Sequence, residues 1–266
     1  MAREDFKSIF GVFSDIARRK SDAARARRKG RNEAAEPSAE VYADSCAKIA
    51  GAFESDGFRY AKSGHYMTRR RNGFSEKVAF QTSCHNIPGK HVALSVAANV
   101  RSKKLKEWRN SRPASLRKDD WVGGGMLHLL GTNQFYLKWE LAEPETREDT
   151  IADVVDTIRS FALSYFDRFQ NIPACIGFLA ECDFPAMDIG NAVEFALCYG
   201  TRNQAQNILD RFLAERKDLA DAVAEAEKKM RRQGIPDYVL SAYADQVAFL
   251  RLHYGMTLGA QQQPAR

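Results

Sequence analysis

The apolar residues of this chain change their spacing twice along the sequence. Up to about residue 57 they recur every three or four residues, from there to about 141 they alternate, and from Glu145 onward the helical spacing returns. Asn72-Gly73 separates two alternating runs, His65 to Arg71 and Phe74 to Ser83, and it favours a hairpin because both of its positions accept positive φ. A helix, then strands, then helices predicts an α+β fold rather than alternating α/β units.

The alternating part predicts an antiparallel sheet of four or five strands with one covered face, flanked by helices. Val92 to Val100 is a further strand, and Met126–Leu130 with Phe135–Leu141 is expected to form a last hairpin. Residues 101–125 are polar and basic, and we predict a loop there. The Gly123–Gly125 run inside it is interpreted as a flexible turn, because neither the Lys-Ser/Thr pair nor the helix start of a phosphate loop follows it.

The C-terminal half is predicted to be helical. Helices are expected over about 146–170, 173–182, 190–200, 218–232 and 237–253, and Thr201-x-x-Gln204 is a capping box at the start of another. We divide the chain into residues 1–37, an amphipathic helix with a basic linker; residues 38–183, an α+β sheet domain; and residues 184–266, a helical region packed on it.

The first twenty residues predict an amphipathic helix. Its apolar stripe consists of Phe6, Ile9, Phe10, Phe13 and Ile16, and an arginine-rich run over residues 18–31 follows it. Such a helix suits a partner helix, an anionic groove or a membrane surface, and it suits equally a position on its own domain. Because a linker over residues 30–37 lets it swing, we predict contact with an acidic protein partner or self-association through this helix.

The charge is unevenly distributed along the chain. Residues 1–120 hold 26 Lys and Arg against 14 Asp and Glu, and residues 121–266 hold 14 against 20, which gives +12 and −6. Basic side chains interleaved with aromatic ones predict a binding surface for an anion: Tyr66, Arg69, Arg70, Arg71, Arg101, Lys103, Lys104, Lys106 and Trp108. The alternative is that the acidic helices of the same chain neutralise these segments.

No catalytic signature is found in the sequence. Cys84 and His85 are adjacent on a strand, which places their side chains on opposite faces, and no spacing of histidines, cysteines or carboxylates matches a metal site. We therefore expect no metal and no cofactor. An enzyme is an alternative if the fold gathers one of four histidines beside a carboxylate in a closed pocket: His65, His85, His91 or His128.

The cysteines favour a reducing compartment. The five cysteines form no CxxC pair, and Cys46, Cys175 and Cys198 fall among apolar residues of expected helices. A disulfide-stabilised protein is therefore not expected. The sequence has no run of about 18 apolar residues, so no transmembrane segment is predicted. Its N-terminus is not typical of a signal peptide, and we expect a cytoplasmic protein.

Several short motifs occur together in the central block. They are Gly57-Phe58 after a helix, Tyr66 in a strand, Phe80-Gln81-x-Ser83, the strand from Val92 to Val100, the Trp139 strand, Tyr165-Phe166 and Ala196-Leu197-x-x-Gly200. With these motifs, residues 40–215 resemble a bacterial family, the domain of unknown function numbered four-three-zero-four. The resemblance implies an α+β bacterial domain, and it implies no established activity and no catalytic residues.

These observations support two main hypotheses of function. The first is a non-catalytic binding protein that grips an acidic protein partner, as a toxin-neutralising or accessory protein does. The second is a nucleic-acid-binding protein that uses the basic first half. A small-molecule enzyme with a site assembled by the fold is the third.

Overall fold

The computed structural model describes residues 35–131, 135–182, 184–216, 218–234 and 242–258. The predicted N-terminal helix with Phe6, Ile9, Phe10, Phe13 and Ile16 lies outside these residues, as does the arginine-rich run that follows it. The described chain forms an antiparallel sheet followed by a helical C-terminal half. This arrangement confirms the predicted α+β fold class.

The strands of the sheet are hydrogen-bonded in their sequence order. They are β1 (Arg59–Ala61), β2 (Tyr66–Arg71), β3 (Phe74–Thr82), β4 (Ala93–Ser102) and β5 (Trp121–Met126), and β6 (Trp139–Glu140) pairs with the start of β4. Within the described residues the sheet has six strands rather than the predicted four or five. The difference arises because β1 has only 3 residues, too short for an alternating pattern, and because most of β5 lies in the segment that was predicted to be a loop.

The helices precede, interrupt and follow the sheet. Those before and within it are α1 (Ser38–Gly51), a 3₁₀ turn (Lys62–Gly64), α2 (Lys103–Asn110) and the one-turn α3 (Leu127–Leu130). Those after it are α4 (Pro144–Thr157), continued by a π-helix (Ile158–Leu163), α5 (Ser164–Asp167) and a 3₁₀ turn (Arg168–Gln170), then α6 (Ile172–Glu181), α7 (Ile189–Tyr199), α8 (Arg202–Ala214), α9 (Leu219–Gln233) and α10 (Tyr243–Tyr254). The predicted capping box of Thr201 and Gln204 is present at the start of α8.

One face of the sheet packs against helices. Phe74 of β3 is 1% exposed, and its ring lies 5.7 Å from that of Phe169, 6.3 Å from Phe195 and 5.5 Å from Tyr199. Every second residue of β3 is buried in the same way, which is the pattern of a strand with one covered face. The core side chains come from both the sheet and the C-terminal helices and form one continuous cluster.

The prediction of a loop over residues 101–125 is wrong for two stretches. Residues Lys103–Asn110 form α2, whose N-cap Ser102 accepts a hydrogen bond from the Leu105 amide at 3.0 Å. The Gly123–Gly125 run is part of strand β5 and not a flexible turn. At Gly124, where φ is +139°, an added Cβ would lie 2.3 Å from the Ala98 carbonyl oxygen, so glycine is required by the close approach of β4.

The predicted last hairpin is also wrong. Residues Leu127–Leu130 form the helical turn α3, and of the expected partner arm only Trp139–Glu140 is a strand. That strand pairs with Ala93 and Leu94 of β4. Trp139 is fixed there because its indole Nε1 donates to Asp153 of α4 at 2.6 Å. None of the described helices is both long enough and apolar enough to cross a membrane.

Candidate anion-binding surface

The second face of the sheet, which we call the open face, is accessible to solvent over much of its area. Its strand residues follow from the alternation and the pairing registers: Arg59, Ala61, Tyr66, Thr68, Arg70, Ser75, Lys77, Ala79, Gln81, Ser95, Ala97, Asn99 and Arg101. Most are small or cationic. By the same registers β5 adds Trp121, Gly124 and Met126, and β6 adds Glu140 opposite Ala93. Among the described strands this is the one acid of the face, and it lies at the opposite end of β4 from Arg101, bound to His91. The open face is therefore flat and positively charged.

The cations of the open face lie in two neighbouring rows that cross the strands. In one row Arg70 of β2 and Arg101 of β4 are both aligned with Ser75, and in the next Arg59 of β1 and Lys77 of β3 are both aligned with Thr68. Since neighbouring strands are about 4.8 Å apart, the Cα atoms of the two cationic residues in a row are separated by about 10 Å. Four positive charges therefore face one side of the sheet.

Carboxylates compensate only part of this charge. Arg101 pairs with Asp120 at 3.1 Å, where its side chain is 43% exposed. Among the described residues, no carboxylate pairs with Arg59, Arg70 or Lys77. These three side chains are available to a negatively charged partner.

Aromatic rings are rare on the open face. The Lys77 amine lies 3.9 Å from the centre of the Tyr66 ring, which covers that ring with a cation. The two central strands, β3 and β4, carry no aromatic side chain on this face. Tyr136 lies over the end of the face, where its hydroxyl donates to Ser95 at 3.0 Å. Trp121 of β5, aligned with Arg101, is the other ring on this side of the described sheet. The central part of the surface is thus rich in charge and poor in stacking platforms.

The structure separates the arginines that the sequence groups together. Arg69 and Arg71 lie on the covered face, where they bind the buried carboxylate of Glu76 at 2.5 and 3.1 Å. Arg71 also reaches Asp167 at 2.7 Å, and hydrogen bonding to Asp167 and Glu76 raises its pKa although burial opposes this. Arg70, between them, is exposed on the open face.

The other predicted binding residues lie on α2. Lys103 pairs with Glu107 at 3.5 Å, Lys104 lies over the Tyr199 ring at 4.5 Å, and Lys106 is exposed. Trp108 packs beside Tyr254 with its ring centre 5.7 Å away. Of the predicted set, Tyr66, Arg70 and Arg101 thus share the open face, and the α2 residues do not join them. Arg59 and Lys77 belong to this surface and were not predicted as site residues.

A buried ion pair fixes α2 to the helical half. Arg109 of α2 and Glu194 of α7 are both 0% exposed, and their Nε and Oε2 atoms are 2.7 Å apart. The Arg109 guanidinium also donates to Asn191 Oδ1 at 2.7 Å and to the Trp121 carbonyl at 2.6 Å. Glu194 in turn accepts from the Tyr254 hydroxyl at 2.8 Å. The network is structural, because its polar atoms are satisfied within the protein.

Among the described residues that line two clefts of the structure, none is one of the four predicted histidines. His91 contacts Glu140, with 2.5 Å between Nδ1 and Oε2, but both side chains are about one third exposed, at 32% and 38%. Glu140 also accepts hydrogen bonds from the backbone amides of Val92 and Ala142 at 2.6 and 3.0 Å. It therefore links the start of β4 to the end of β6. His65 Nδ1 lies 3.2 Å from the Tyr60 hydroxyl. No described histidine lines the cleft between Trp121, Asp188 and Phe212.

A scan against protein-family models, a search of curated proteins and a search of solved structures gave no match. The resemblance to the domain of unknown function four-three-zero-four therefore stays a prediction. The function of this protein has to be argued from the chemistry of its own surfaces.

Proposed function

We propose that this protein is a non-catalytic binding protein that holds an acidic protein partner on its open face. The observation that carries the proposal is the pattern of charge there: Arg59, Arg70 and Lys77 have no carboxylate partner among the described residues, and the strand residues around them include no acid. Complementary charge speeds association and selects partners of the opposite sign.

The shape and composition of the open face favour a protein over a nucleic acid. Single-stranded nucleic acids gain affinity by stacking bases on exposed rings. Here the central strands offer Ala79, Ala97 and Ser75 instead of rings, and Tyr66 is covered by Lys77. Small side chains leave room for a partner helix or loop to lie flat against the sheet while its carboxylates reach the cations.

Replacing the three cations tests the proposal. In the full chain, the R59Q/R70Q/K77Q variant is expected to bind poly-L-glutamate at least about tenfold more weakly than the unchanged protein at low salt, because charge-assisted contacts are lost. The matched control is K229Q/R231Q/R232Q, which removes three exposed cations from α9 and changes the net charge by the same amount. Binding is measured by fluorescence anisotropy with labelled polyglutamate.

Three results would contradict the proposal. Equal losses in the two variants would show that only net charge matters. Unchanged binding by R59Q/R70Q/K77Q would place the contact elsewhere, for example on the arginine-rich run of residues 18–31. Binding of a mixed-sequence single-stranded oligonucleotide that is tighter than that of polyglutamate, and is lost in the open-face variant, would favour the nucleic-acid hypothesis.

A further inference from the structure

The three uncompensated cations of the open face form a zigzag across three neighbouring strands. Arg59 lies on β1, Arg70 on β2 and Lys77 on β3. Thr68 of β2 is aligned with both Arg59 and Lys77, whereas Arg70 lies two residues further along β2. The three cations therefore alternate between the two rows of the open face.

The dimensions of this zigzag follow from the geometry of a sheet. Neighbouring strands are about 4.8 Å apart, so each cationic residue lies about 4.8 Å further across the strands than the one before it. The Cα atoms of the outer two, Arg59 and Lys77, are thus about 10 Å apart. Two residues along a strand span about 6.8 Å, which is the distance between the rows.

An α-helix that lies across the strands can present carboxylates with this spacing. A rise of about 1.5 Å per residue places residues i and i+7 about 10.5 Å apart on the same side of the helix. Residue i+3 lies between them, about 4.5 Å along the axis from residue i, and is rotated by about 60° to one side. Carboxylates at i, i+3 and i+7 therefore face Arg59, Arg70 and Lys77 in turn.

An extended segment matches the three cations less well. Side chains on one face of a strand recur about every 6.8 Å, so three of them span about 13.6 Å, which exceeds the separation of Arg59 and Lys77. They also lie in one row, whereas Arg70 lies outside the row that Arg59 and Lys77 share. The arrangement of the cations thus favours a helix over an extended chain.

The surface between the cations leaves room for a helix. Thr68 separates Arg59 from Lys77, and Ser75 is the neighbour of Arg70 on β3, so both intervening side chains are short. Arg59 and Arg70 are exposed. The Lys77 amine lies 3.9 Å from the centre of the Tyr66 ring, a cation–π contact that leaves its positive charge uncompensated.

We propose that the acidic partner contacts the open face through an α-helix that crosses β1, β2 and β3, with Asp or Glu at positions i, i+3 and i+7 facing Arg59, Arg70 and Lys77. This inference rests on the function proposed above, and it adds the secondary structure of the partner and the spacing of its carboxylates. Charge-assisted hydrogen bonds depend on geometry, so the order of the carboxylates matters as well as their number.

Two labelled peptides of identical composition test the spacing on the unchanged full-length protein. Both are helices rich in alanine and glutamine with three glutamates, placed at i, i+3 and i+7 in the first peptide and at i, i+5 and i+10 in the second, where they point to different sides. A third peptide has the first spacing and two central prolines, which break the helix. In fluorescence anisotropy at low salt, the first peptide is expected to bind at least about tenfold more tightly than the other two.

A charge exchange tests the middle contact. R70E is expected to weaken binding of the first peptide at least about tenfold, because it places two carboxylates opposite each other. Replacing the i+3 glutamate of the peptide by lysine should restore the affinity for R70E. The matched control is R112E, since Arg112 is exposed and lies over the Trp108 ring, away from the sheet face. The lysine peptide should bind R112E no better than the first peptide does.

The inference is overturned if the two spacings bind equally, if the proline peptide binds as tightly as the first, or if no peptide binds saturably up to about 1 mM. Failure of the lysine peptide to recover binding to R70E also overturns it. When R59Q/R70Q/K77Q nevertheless loses polyglutamate, only the helix is rejected and the proposed function stands. Retention of polyglutamate by that variant rejects both. The peptide comparison needs no variant, so it decides the outcome even if R70E does not fold.

Discussion

Three successive arginines, Arg69 to Arg71, end on two different faces of the sheet. Side chains of a strand alternate, so Arg69 and Arg71 reach Glu76 in the interior while Arg70 is exposed to solvent. A shift of register by one residue would exchange these roles and leave Glu76 buried without its cations. At the scale of the residue, position along the strand decides whether a positive charge is structural or available for binding.

Glu140 is a single residue whose ionisation is expected to affect stability. Burial acting alone would raise the pKa of Glu140, but hydrogen bonds from the Val92 and Ala142 amides and from His91 outweigh it and hold the pKa below its ordinary value. We expect E140Q to lower the free energy of unfolding near neutral pH, because the charged acceptor of these hydrogen bonds is lost.

The pH dependence of this effect has a defined sign. A carboxyl with a lower pKa in the folded state stabilises the protein above its unfolded pKa, here 4.5, and this contribution disappears as the pH falls through the folded value. Urea unfolding of E140Q and the unchanged protein should therefore differ at about pH 7 and converge towards about pH 3. The exposed Glu148 provides the control E148Q. A difference independent of pH would contradict the prediction.

Part of the open face was predictable from the sequence. Once Asn72-Gly73 fixes the turn, alternation puts Arg70, Ser75 and Lys77 on one face and Glu76 on the other. Arg59 was not predictable in this way, because β1 has only 3 residues and its pairing with β2 depends on the tertiary fold. The cations of α2 were predicted to share a surface with those of the sheet only because the two sets are close in sequence.

At the scale of the element, the turn between β2 and β3 forms as the local sequence predicts. Asn72 and Gly73 have φ values of 48° and 83°, as the predicted hairpin requires. Gly73 has no atom within 4 Å of an added Cβ, so any penalty for a side chain there comes from the backbone conformation rather than from a clash.

Two glycine-to-alanine substitutions test this reasoning, because they are expected to change the free energy of unfolding in opposite directions. G73A is expected to lower the free energy of unfolding by about 1–2 kcal/mol, the usual cost of left-handed backbone for an L-residue. G177A is the control within α6, where an added Cβ also meets nothing within 4 Å, and it should raise stability by about 0.5–1 kcal/mol. Urea unfolding measures both, and a stabilising G73A would be evidence against the turn geometry.

Other elements were missed because tertiary contacts decide them. Helix α2 is highly charged, and only Leu105 and Arg109 of its residues are buried. Burial of an arginine is not visible in a hydrophobic pattern, so the segment was predicted to be a loop. Ser102 before Lys103, in the position of an N-cap, was the one local signal that indicated a helix.

At the scale of the whole molecule, the predicted sheet domain and the predicted helical region share one core. The buried cluster includes Phe74 and Val100 of the sheet and Phe195 and Leu209 of the C-terminal helices. The Arg109–Glu194 pair joins the same two parts of the chain through a fully buried contact. The stability of either part therefore depends on its contact with the other.

Removing Arg109 is expected to destabilise the whole protein. R109M leaves the Glu194 carboxylate buried without its cation and should lower the free energy of unfolding by about 3–5 kcal/mol. Chemical denaturation measures this loss, and R112M is the control, since Arg112 is exposed. The double variant R109M/E194L should recover part of the loss, because it removes the unpaired charge. A loss below about 1 kcal/mol in R109M would contradict a structural role for the pair.

Ion pairs between the two halves of the sequence neutralise part of the positive charge of the first half. The carboxylate of Glu194, from the acidic half, neutralises Arg109, and that of Asp167 neutralises Arg71. Arg69 pairs with Glu76 of its own half. Arg59, Arg70 and Lys77 have no such compensation among the described residues and together define the open face. The excess positive charge of the described sheet is thus concentrated on one surface.

The sequence by itself determined the α+β class, the β2–β3 hairpin and the pair of helices joined by the Thr201 capping box, because these depend on local spacing and turn chemistry. Tertiary structure alone decided which arginines are buried, that the glycine run is a strand and that a cleft opens beside Trp121. Those features depend on groups that are distant in sequence and meet only when the sheet packs on the helices. Local propensity does not predict such long-range contacts.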